Sequence, residues 1–597
     1  DAGRRAAHAA HARASTDLRR RAWHLAAAAT GVDGEVAATL EQAALDARAR
    51  SGHAEAARAF ARSAELSPEP SARGRRMLEA AQDAAVTGAT STALTLLDTA
   101  APLLERALVP AADRLRGNLL VRAGDPLAGR RILQRLADEA VAAGDHGSAA
   151  TLLLETAVTY TMTGEPDAID AVLARARRCA DIIGGPAAFV ARTMLAVSDV
   201  MTGDHATGNA ELAELEPQLG GLRVVGLAEP VGLLAQASMA TGELDRAERA
   251  VGLLVAQHRE ASALGGLPYP LAVRALLHHR RGRWTEAATD AQEAVRLAHE
   301  TGQTTLSGFC LAAQARIVGA CGATDDAIGQ GREALAIVDG AQATNLGIYA
   351  LAAIGHAALA ADRLDEAADA LDEAAARRRR LGWREPGMAL DAADHIETLL
   401  RLGRTDDAAT ALAELTEQAQ QTGGAWAHAA VRRIALLQAD LDDVDRHACA
   451  ALEWHARAGL PFEQARTELA WGMRLRRRRQ RMRAREPLAR AHEAFAALGA
   501  QQWAHRAAQE LDAAGAPVAS TELAAEPSGD HRAVLTAREL KVAQLVTHGM
   551  TNREVAEALF LSAKTIEHQL SVIYRRLGVR SRTELTRLFA EERPEPS

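Results

Sequence analysis

Lysine is nearly absent from this sequence: among 597 residues it occurs only at Lys541 and Lys564. A phosphate-binding loop of the G-x-x-x-x-G-K-[ST] type needs a lysine ammonium that reaches the β- and γ-phosphates. The two lysines lie in E-L-K-V and S-A-K-T, where no glycines form such a cradle. The sequence therefore excludes a P-loop ATPase from this chain, and no cofactor is expected in it.

Cysteines and aromatic residues are also scarce. The four cysteines (Cys179, Cys310, Cys321 and Cys449) are scattered, with no C-x-x-C pair and no clustering with histidine. This argues against a zinc site or a disulfide framework and favours a reducing, cytoplasmic setting. Aromatic residues make up 3% of the chain and alanine dominates, which favours closely packed helices over sheets.

Membrane spans and catalytic motifs are missing as well. No stretch reaches the roughly 18 uncharged apolar residues that a spanning helix needs, so no membrane association is expected. The sequence contains no H-E-x-x-H, no G-x-S-x-G and no nucleophile–base pair at motif spacing. His278 and His279 have no carboxylate partner one helical turn away. We therefore expect no enzymatic activity and no metal site.

Glycines recur along most of the chain with a period of about 40 residues, a length typical of helical-repeat units. One series comprises Gly88, Gly124, Gly164, Gly203, Gly242, Gly282, Gly322, Asp362 (in place of glycine) and Gly403, at nearly equal intervals. A second series lies between them at Gly265, Gly302, Gly340, Gly382, Gly423, Gly459 and Gly499. Glycine suits the left-handed residue after a helix, and the Asp, Glu or Thr that follows suits the next N-cap. Two turns per period predict two helices of about 15 residues per repeat.

These repeats resemble a tetratricopeptide-type α-solenoid with a longer period. Segments such as DEAADALDEAAA place apolar residues three and four positions apart, so each helix has one buried face. A helix pair covers that face only by stacking on its neighbours. We predict an all-α chain with a helical lead-in at 1–70 and a tetratricopeptide-like repeat domain at 71–511.

The sequence leaves two roles open for such a solenoid. It could be a rigid scaffold, or its concave surface could bind a peptide, a protein or a small inducer. Six of the seven tryptophans are expected to pack between helices and not to serve as ligand platforms; they are Trp284, Trp383, Trp426, Trp454, Trp471 and Trp503.

An arginine-rich run also allows two interpretations. It consists of Arg474, Arg476–Arg479, Arg481, Arg483 and Arg485. The run could bind phosphates, or it could be the solvated face of a helix anchored by Leu475 and Met482. The solvated face is the favoured interpretation, because charged runs usually serve that purpose.

A linker rich in Ala, Pro, Ser and Gly at 512–530 separates the repeats from a different module at 531–597. Four N-caps mark helix starts in this module: Thr536, Thr551 and Ser581, each with a glutamate three residues later, and Ser562. Gly549, Gly578 and Pro594 mark helix ends. The predicted helices run near 537–547, 552–559, 563–577 and 582–592.

A short helix, a three-residue turn and a longer helix are the helix-turn-helix arrangement, whose second helix enters the DNA major groove. One small core is predicted from Leu540, Ala543, Leu545, Val546, Val555, Ala556, Leu559, Ile566, Leu570, Ile573 and Leu577. Residues 531–597 hold 11 Lys and Arg against 8 Asp and Glu, a net charge of +3; since the whole chain carries −8, the rest of it carries −11. A basic end on an acidic body is the charge distribution expected for nucleic-acid binding.

Residues 535–585 resemble the LuxR-type DNA-binding domain of bacterial regulators. The matching phrases are L-T-A-R-E, G-M-T-N-R-E-V-A, L-F-L-S-A-K-T-I and R-L-G-V-R-S-R-T-E-L. The remainder of the chain resembles the large ATP-binding regulators of that family, which combine an amino-terminal ATPase, a helical-repeat sensor and this DNA-binding end. The resemblance therefore implies that the chain is the part downstream of that ATPase or a member that lost it, and ATP would enter only through such an upstream domain.

The predicted second helix offers groups for both phosphates and base edges. Lys564 and Thr565 lie at its amino terminus, where backbone N–H groups and the helix dipole favour phosphate. Glu567, His568 and Ser571 are expected to face base edges, since Glu can accept from cytosine and His can donate to guanine. The further phosphate candidates are Thr551, Arg575, Arg576, Arg580 and Arg582.

One position departs from the family pattern. Where the family commonly has histidine, this chain has Gln569, and His568 stands where an aromatic residue or asparagine is common. The change could alter the preferred base, or Gln569 could be a solvated substitution without effect.

The resemblance also implies a homodimer on DNA, formed through the fourth helix. Leu585, Leu588 and Phe589 recur at i, i+3 and i+4 and could pair across a two-fold axis. They could equally close the core of their own domain.

The leading interpretation is a sequence-specific transcriptional regulator, an activator working with RNA polymerase, whose repeats receive a signal. The alternative is an interaction scaffold that its carboxy-terminal domain tethers to double-stranded DNA.

Overall fold

The computed structural model describes residues 2–222, 227–516, 537–547, 550–558 and 581–590, and also residues 566, 569, 570, 573, 574, 577 and 579. Throughout these ranges the regular structure is helical, without a strand, and the predicted all-α fold is confirmed. The chain divides into two compact units at residues 1–517 and 518–597. None of the helices in these ranges has the length and apolar character to cross a membrane.

The first half of the repeat unit is a run of helices joined by short turns. The helices are α1 Ala2–Ala14, α2 Leu18–Ala28, α3 Gly34–Ala49, α4 His53–Glu65, α5 Pro70–Thr87, α6 Thr90–Ala100, α7 Val109–Ala123, α8 Pro126–Ala142, α9 His146–Thr163, α10 Pro166–Ile183, α11 Gly185–Thr202, α12 His205–Leu215, α13 Ala228–Ala240 and α14 Leu244–Glu260. Short 3₁₀ helices lie at Ala101–Leu103, Arg106–Leu108, Glu216–Gly221 and Leu264–Gly266.

The second half continues the same pattern of antiparallel helix pairs. Its helices are α15 Pro268–Arg280, α16 Trp284–Glu300, α17 Thr304–Ala320, α18 Thr324–Gly340, α19 Thr344–Ala360, α20 Leu364–Arg380, α21 Ala392–Leu402, α22 Thr405–Thr422, α23 Ala425–Gln438, α24 Leu441–Ala458, α25 Pro461–Arg477, α26 Arg481–Leu498 and α27 Gln501–Ala513. In the second unit the structure describes α28 Ala537–Thr547, α29 Asn552–Ala558 and α30 Arg582–Ala590.

The first glycine series marks left-handed turns, as predicted. All members of the series have positive φ, from 65° at Asp362 to 105° at Gly124. The helices between the turns are somewhat longer than expected, since those from α16 to α20 are 17 residues long. Each turn therefore takes only a few residues of each half of the repeat. The left-handed residue that the turns of the first series require recurs with the period of the repeat.

The second series is less regular than predicted. Gly302, Gly382, Gly423, Gly459 and Gly499 have positive φ, but the left-handed residues near Gly265 and Gly340 are Ser262 and Gln342. Gly265 has another function: a Cβ placed on it would lie 2.9 Å from the Cα of Gly88. Glycine is needed there because two backbones approach closely.

The N-cap prediction holds for part of the array. Asp125 and Asp204 cap α8 and α12, and each accepts a hydrogen bond from a backbone N–H three residues later. In later repeats the N-cap residue is one whose side chain makes no capping bond, such as Arg283 before α16 or Ala323 before α18. The predicted N-caps were wrong there, because Asp, Glu and Thr lie inside the first turn of the helix. Acidic residues at those positions still interact favourably with the positive end of the helix dipole.

Most tryptophans pack between helices, as predicted. Trp284, Trp383, Trp426 and Trp503 are buried, whereas Trp454 and Trp471 are half-buried. With so few aromatic residues in the chain, these rings fill spaces that alanine cannot fill.

The arginine-rich run does not lie on one continuous helix. It crosses the turn between α25 and α26, where Arg479 is left-handed with φ of 63°. Leu475 is buried as expected, but the expected anchor Met482 is 70% exposed. Several of the arginines pair within the unit, including Arg476 with Glu510 and Arg478 with Asp440. These ion pairs leave fewer arginines free for phosphate.

The repeats wind far enough for distant parts of the unit to touch. The Thr90 hydroxyl donates to the carbonyl of Thr301 over 2.9 Å, 211 residues away, and the Thr305 hydroxyl donates to the carbonyl of Val121 over 3.1 Å, 184 residues away. Thr324 is hydrogen-bonded to Gln502 over 178 residues. Successive turns of the superhelix are therefore in direct contact.

We predict opposite effects from two alanine substitutions on neighbouring glycines. Gly242 has φ of +87° and Gly252 lies within α14, and a Cβ at either position would meet no heavy atom within 4 Å. Gly242→Ala should destabilise the unit by about 1 kcal/mol, because only the left-handed backbone opposes it. Gly252→Ala should stabilise it by about 0.5–1 kcal/mol through helix propensity. Urea and thermal unfolding would measure both, and effects of the same sign would contradict the prediction.

Candidate functional sites

The second unit has a single small apolar core. It is formed by Val542, Ala543, Val546, Val555, Ala556, Ile566, Leu570, Ile573, Leu585 and Phe589. Seven of these were expected from the sequence, while Leu545 and Leu577 lie at the margin of the core. The side chains of Leu540 and Leu559 lie outside the described residues. Leu585 and Phe589 fill the core, as one of the two interpretations of the fourth helix expected, whereas Val542 was missed.

A capping box begins α29, as the sequence predicts. The Thr551 hydroxyl accepts from the backbone N–H of Glu554 over 3.3 Å, and the Glu554 carboxylate accepts from the Thr551 backbone N–H over 2.7 Å. These backbone and side-chain hydrogen bonds from Thr551 lower the pKa of Glu554. Thr551 is exposed at the amino terminus of this helix, a position suited to phosphate contact.

Arg582 has a structural role that the sequence did not reveal. Its guanidinium donates to the carbonyl of Val546 over 2.9 Å and also to the carbonyl of Met550. The side chain thereby ties the carboxy-terminal end of α28 to the start of α30. At the same helix start, the Ser581 hydroxyl accepts from the backbone N–H of Glu584. Part of the hydrogen-bonding capacity of Arg582 is thus used inside the unit.

The other predicted DNA contacts lie outside the described residues. These are Lys564, Thr565, Glu567, His568, Ser571, Arg575, Arg576 and Arg580. Their neighbours Ile566, Leu570 and Ile573 are buried in the core, at the spacing of one face of a helix.

Gln569 is half-buried and not a fully solvated substitution. Its Oε1 atom is buried, and among the described residues it has no hydrogen-bond partner. Such a group costs free energy unless something satisfies it.

Of the three large apolar residues of α30, two close the core of their own unit and one is placed where a partner could contact it. Leu585 and Phe589 are buried in the core of their own unit, while Leu588 is only half-buried at its edge. Leu588 is therefore the member of the three whose surface is open to a partner.

The carboxy-terminal half of the repeat unit has a buried ionic network in its interior. Arg466 on α25 pairs with Asp394 and lies 3.1 Å from Glu397, both on α21. Glu463 accepts from Arg433 over 2.7 Å. Burial is the strongest single influence on Asp394 and opposes its charge, but Arg466, His356 and Arg316 together outweigh it and hold the pKa of that carboxyl well below its usual range. A buried charge of this kind is tolerated only when it is paired.

The network repeats with the period of the array. Arg316, His356, Asp394 and Arg433 come from α17, α19, α21 and α23, which are the first helices of successive repeats. Their nearly constant spacing matches that of the glycines, and the signal could have been found by aligning charged positions with the glycine series. The sequence interpretation missed these residues.

Two histidines in this interior are held neutral. His356 is fully buried, its Nδ1 lies 2.9 Å from Asp394, and its ring contacts Phe462 and Trp503. Burial and then the nearby Arg316 lower its pKa to about 4, although Asp394 opposes the shift. Burial and then Arg433 likewise lower the pKa of His455 to about 4.

The amino-terminal half of the repeat unit contains a partly open cavity. A cavity of about 780 Å³ lies among α7, α9 and α11, and the starts of α13 and α17 complete its wall. Where the structure describes the chain, no group of three or more His, Cys, Asp or Glu side chains is placed to hold a metal ion.

Comparison with known proteins identifies the carboxy-terminal unit. Residues 533–589 match the family of bacterial regulatory proteins, luxR family. The similar relatives include the transcriptional regulatory protein ComA of Bacillus subtilis, 51% identical over 51 residues, and the transcriptional regulatory protein DegU of Brevibacillus brevis, 43% identical over 51 residues. These matches cover 8% of this chain and 22 to 24% of the relatives, so they concern this domain alone.

Solved structures of helical proteins also align with the chain. A Rap protein complexed with competence and sporulation factor has a TM-score of 0.44 at 12% identity, covering 59% of this chain and 99% of that one. The Cut9–Hcn1 hetero-tetramer has a TM-score of 0.39 at 14% identity, covering 92% and 96%.

The buried histidines predict a loss of stability in mild acid. Because their pKa lies below the ordinary value of 6.5, the unfolded chain binds more protons between pH 6.5 and 4. Stability is therefore full above pH 6.5 and decreases as the pH falls, by about 2 kcal/mol per histidine between pH 7 and 5.

Unfolding in urea at pH 7 and 5 would test this. The double variant His356→Gln, His455→Gln should show a smaller difference in the free energy of unfolding between pH 7 and pH 5, whatever its absolute stability. His299→Gln, which replaces an exposed histidine of the same array, is the control. An unchanged pH dependence in the double variant would contradict the prediction.

Proposed function

We propose, on the premise that residues 533–589 are a LuxR-family helix-turn-helix DNA-binding domain, that this protein is a sequence-specific transcriptional activator whose repeats receive a signal. The observation that carries the proposal is the family match of residues 533–589. The apolar core and the capping box of the second unit are consistent with a helix-turn-helix domain. The setting is the cytoplasm, where the DNA and RNA polymerase are found.

The amino-acid chemistry of residues 564–571 supports direct readout of bases. With Ile566, Leu570 and Ile573 in the core, Glu567, His568 and Ser571 fall at the sequence positions expected to meet base edges. Lys564, Thr565, Arg575, Arg576 and Arg580 would contact phosphates, aided by Thr551 at the start of α29.

We further propose that the protein binds DNA as a homodimer through α30. Leu588 is available for this contact because Leu585 and Phe589 already fill the core. Two domains related by a two-fold axis would read two half-sites of a palindrome.

The repeats would supply the regulatory input, as in the large ATP-binding regulators that the chain resembles. ATP would enter only if an ATPase precedes the repeats. The cavity in the amino-terminal half favours a sensor over a passive scaffold, because a rod that only positions other domains has no need for a cavity. The scaffold remains the second candidate, and the arginine ion pairs and buried network of the other half favour rigidity there.

Selection of random duplex DNA by the whole chain, with and without residues 531–597, tests the function. We expect an enriched motif with two-fold symmetry that is lost on truncation. No enrichment by the whole chain would contradict sequence-specific binding, and co-purification of a protein partner without any inducer effect would favour the scaffold.

Three substitutions should separate phosphate contacts from base contacts. Lys564→Ala should weaken binding to all sequences and reduce the slope of log K against log salt concentration by about 1. Lys541→Ala removes the same charge from α28 and is the matched control.

Glu567→Ala or His568→Ala should instead change which sequences are preferred, with a discrimination loss of about 1–3 kcal/mol. Binding titrations at several salt concentrations, on the selected motif and on scrambled DNA, would measure both effects. An unchanged salt slope for Lys564→Ala would remove it from the phosphate contacts, and uniform weakening by the other two would make them backbone contacts.

A further inference from the structure

The cavity in the amino-terminal half of the repeat unit has walls from two turns of the superhelix. One wall is the concave face of α7, α9 and α11, the first helices of three successive repeats. Leu227, Glu229 and Pro230 at the start of α13, in the repeat after α11, extend this wall, and Thr305 and Leu306 at the start of α17 belong to the following turn. The space therefore lies between two turns and is partly open to solvent.

The walls are mostly apolar. On α9 the lining residues follow a helical stripe of Leu154, Val158 and Met162, with spacing of four. Leu115 on α7 and Met194 on α11 continue the apolar surface. Val158, Met162 and Leu115 are only half-buried, so part of their surface faces the empty space. Apolar surface in a water-filled cavity favours an apolar occupant.

The charged groups of the lining are already paired. Arg114 forms a bidentate pair with Glu155, with N···O distances of 2.6 to 3.2 Å, and Arg122 lies 3.2 Å from Glu229. Two positive and two negative charges leave the lining with no net charge. A charged ligand would lose its hydration without gaining an unpaired counter-charge, which costs free energy.

Two neutral polar groups in the lining are free for a ligand. The side-chain amides of Gln82 and Asn118 line the cavity, and neither has a hydrogen-bond partner among the described residues. Each offers both a donor and an acceptor. The Thr305 hydroxyl, in contrast, is used in its bond to Val121.

We propose that this cavity binds an uncharged, largely apolar small molecule with one or two hydrogen-bonding groups. Its volume of about 780 Å³ lies within the range of ordinary small-molecule sites. The inference deepens the proposed sensor role and rests on it for its regulatory meaning. A ligand here touches both turns at once, so its binding strengthens the contact that Thr305 already makes with Val121 between them.

A pair of fluorescent dyes tests the chemistry of the site on the whole chain. N-phenyl-1-naphthylamine is uncharged and has one N–H donor, and 8-anilinonaphthalene-1-sulfonate has the same rings with an added negative charge. We expect one saturable site for the neutral dye, with a dissociation constant at least about tenfold below that of the charged dye at this site.

Cavity-filling variants locate the site. Val158→Phe fills the space from α9, and Leu306→Phe fills it from the other turn, so that a folding defect in one leaves the other informative. Each should weaken binding of the neutral dye at least about tenfold. Val141→Phe adds the same ring at an exposed position of α8 and is the matched control.

Retention of wild-type binding in both folded filling variants would overturn the proposal. Equal affinity for the charged dye at the same site, or displacement of the neutral dye by random heptapeptides and not by uncharged small molecules, would also overturn it. The dye titration reads occupancy without DNA, whereas the duplex selection reads DNA binding without a ligand. The dye titration can therefore contradict the proposed ligand site, and the duplex selection can independently contradict the proposed DNA-binding function.

Discussion

Contact between successive turns of the superhelix is the interaction on which the rest of the repeat unit depends. Helix pairs that touch only their neighbours would leave an open inner surface. Here the hydrogen bonds from Thr90 and Thr305 join residues 211 and 184 positions apart, and Gly265 lets its backbone approach Gly88. These contacts bring side chains of distant repeats together, and the cavity arises from that proximity.

The interior of the repeat unit differs between its two halves: one holds a buried ionic network and the other a cavity. Around Asp394 and Arg466 it is filled with aromatic and charged side chains, and the carboxylates are paired with arginines. Around Val158 it is empty and apolar, with its charges matched at the wall. Removing one partner of a buried pair costs about 3–5 kcal/mol, so the first region resists change. The ion pairs at the cavity wall are more exposed and the space beside them is already open, so an occupant of the kind proposed would enter without breaking a buried pair.

Features decided by local chemistry could be read from the sequence. A left-handed turn needs glycine or a tolerant residue, so the first series was predicted, including Asp362. The capping box of Thr551 and Glu554 and the core position of Ile566 also depend on near neighbours.

Features decided by distant contacts could not be read in this way. The pairing of Arg466 with Asp394 spans 72 residues, and Arg582 contacts carbonyls 32 and 36 residues away. No short sequence window contains both partners of these contacts.

Contact between turns also restricts how this array can evolve. In a repeat protein whose units touch only adjacent units, one repeat can be gained or lost by recombination with local effects. Here an insertion of one whole repeat between Val121 and Thr305 would displace every pair that joins the two turns. The fold therefore constrains the number of repeats between Val121 and Thr305.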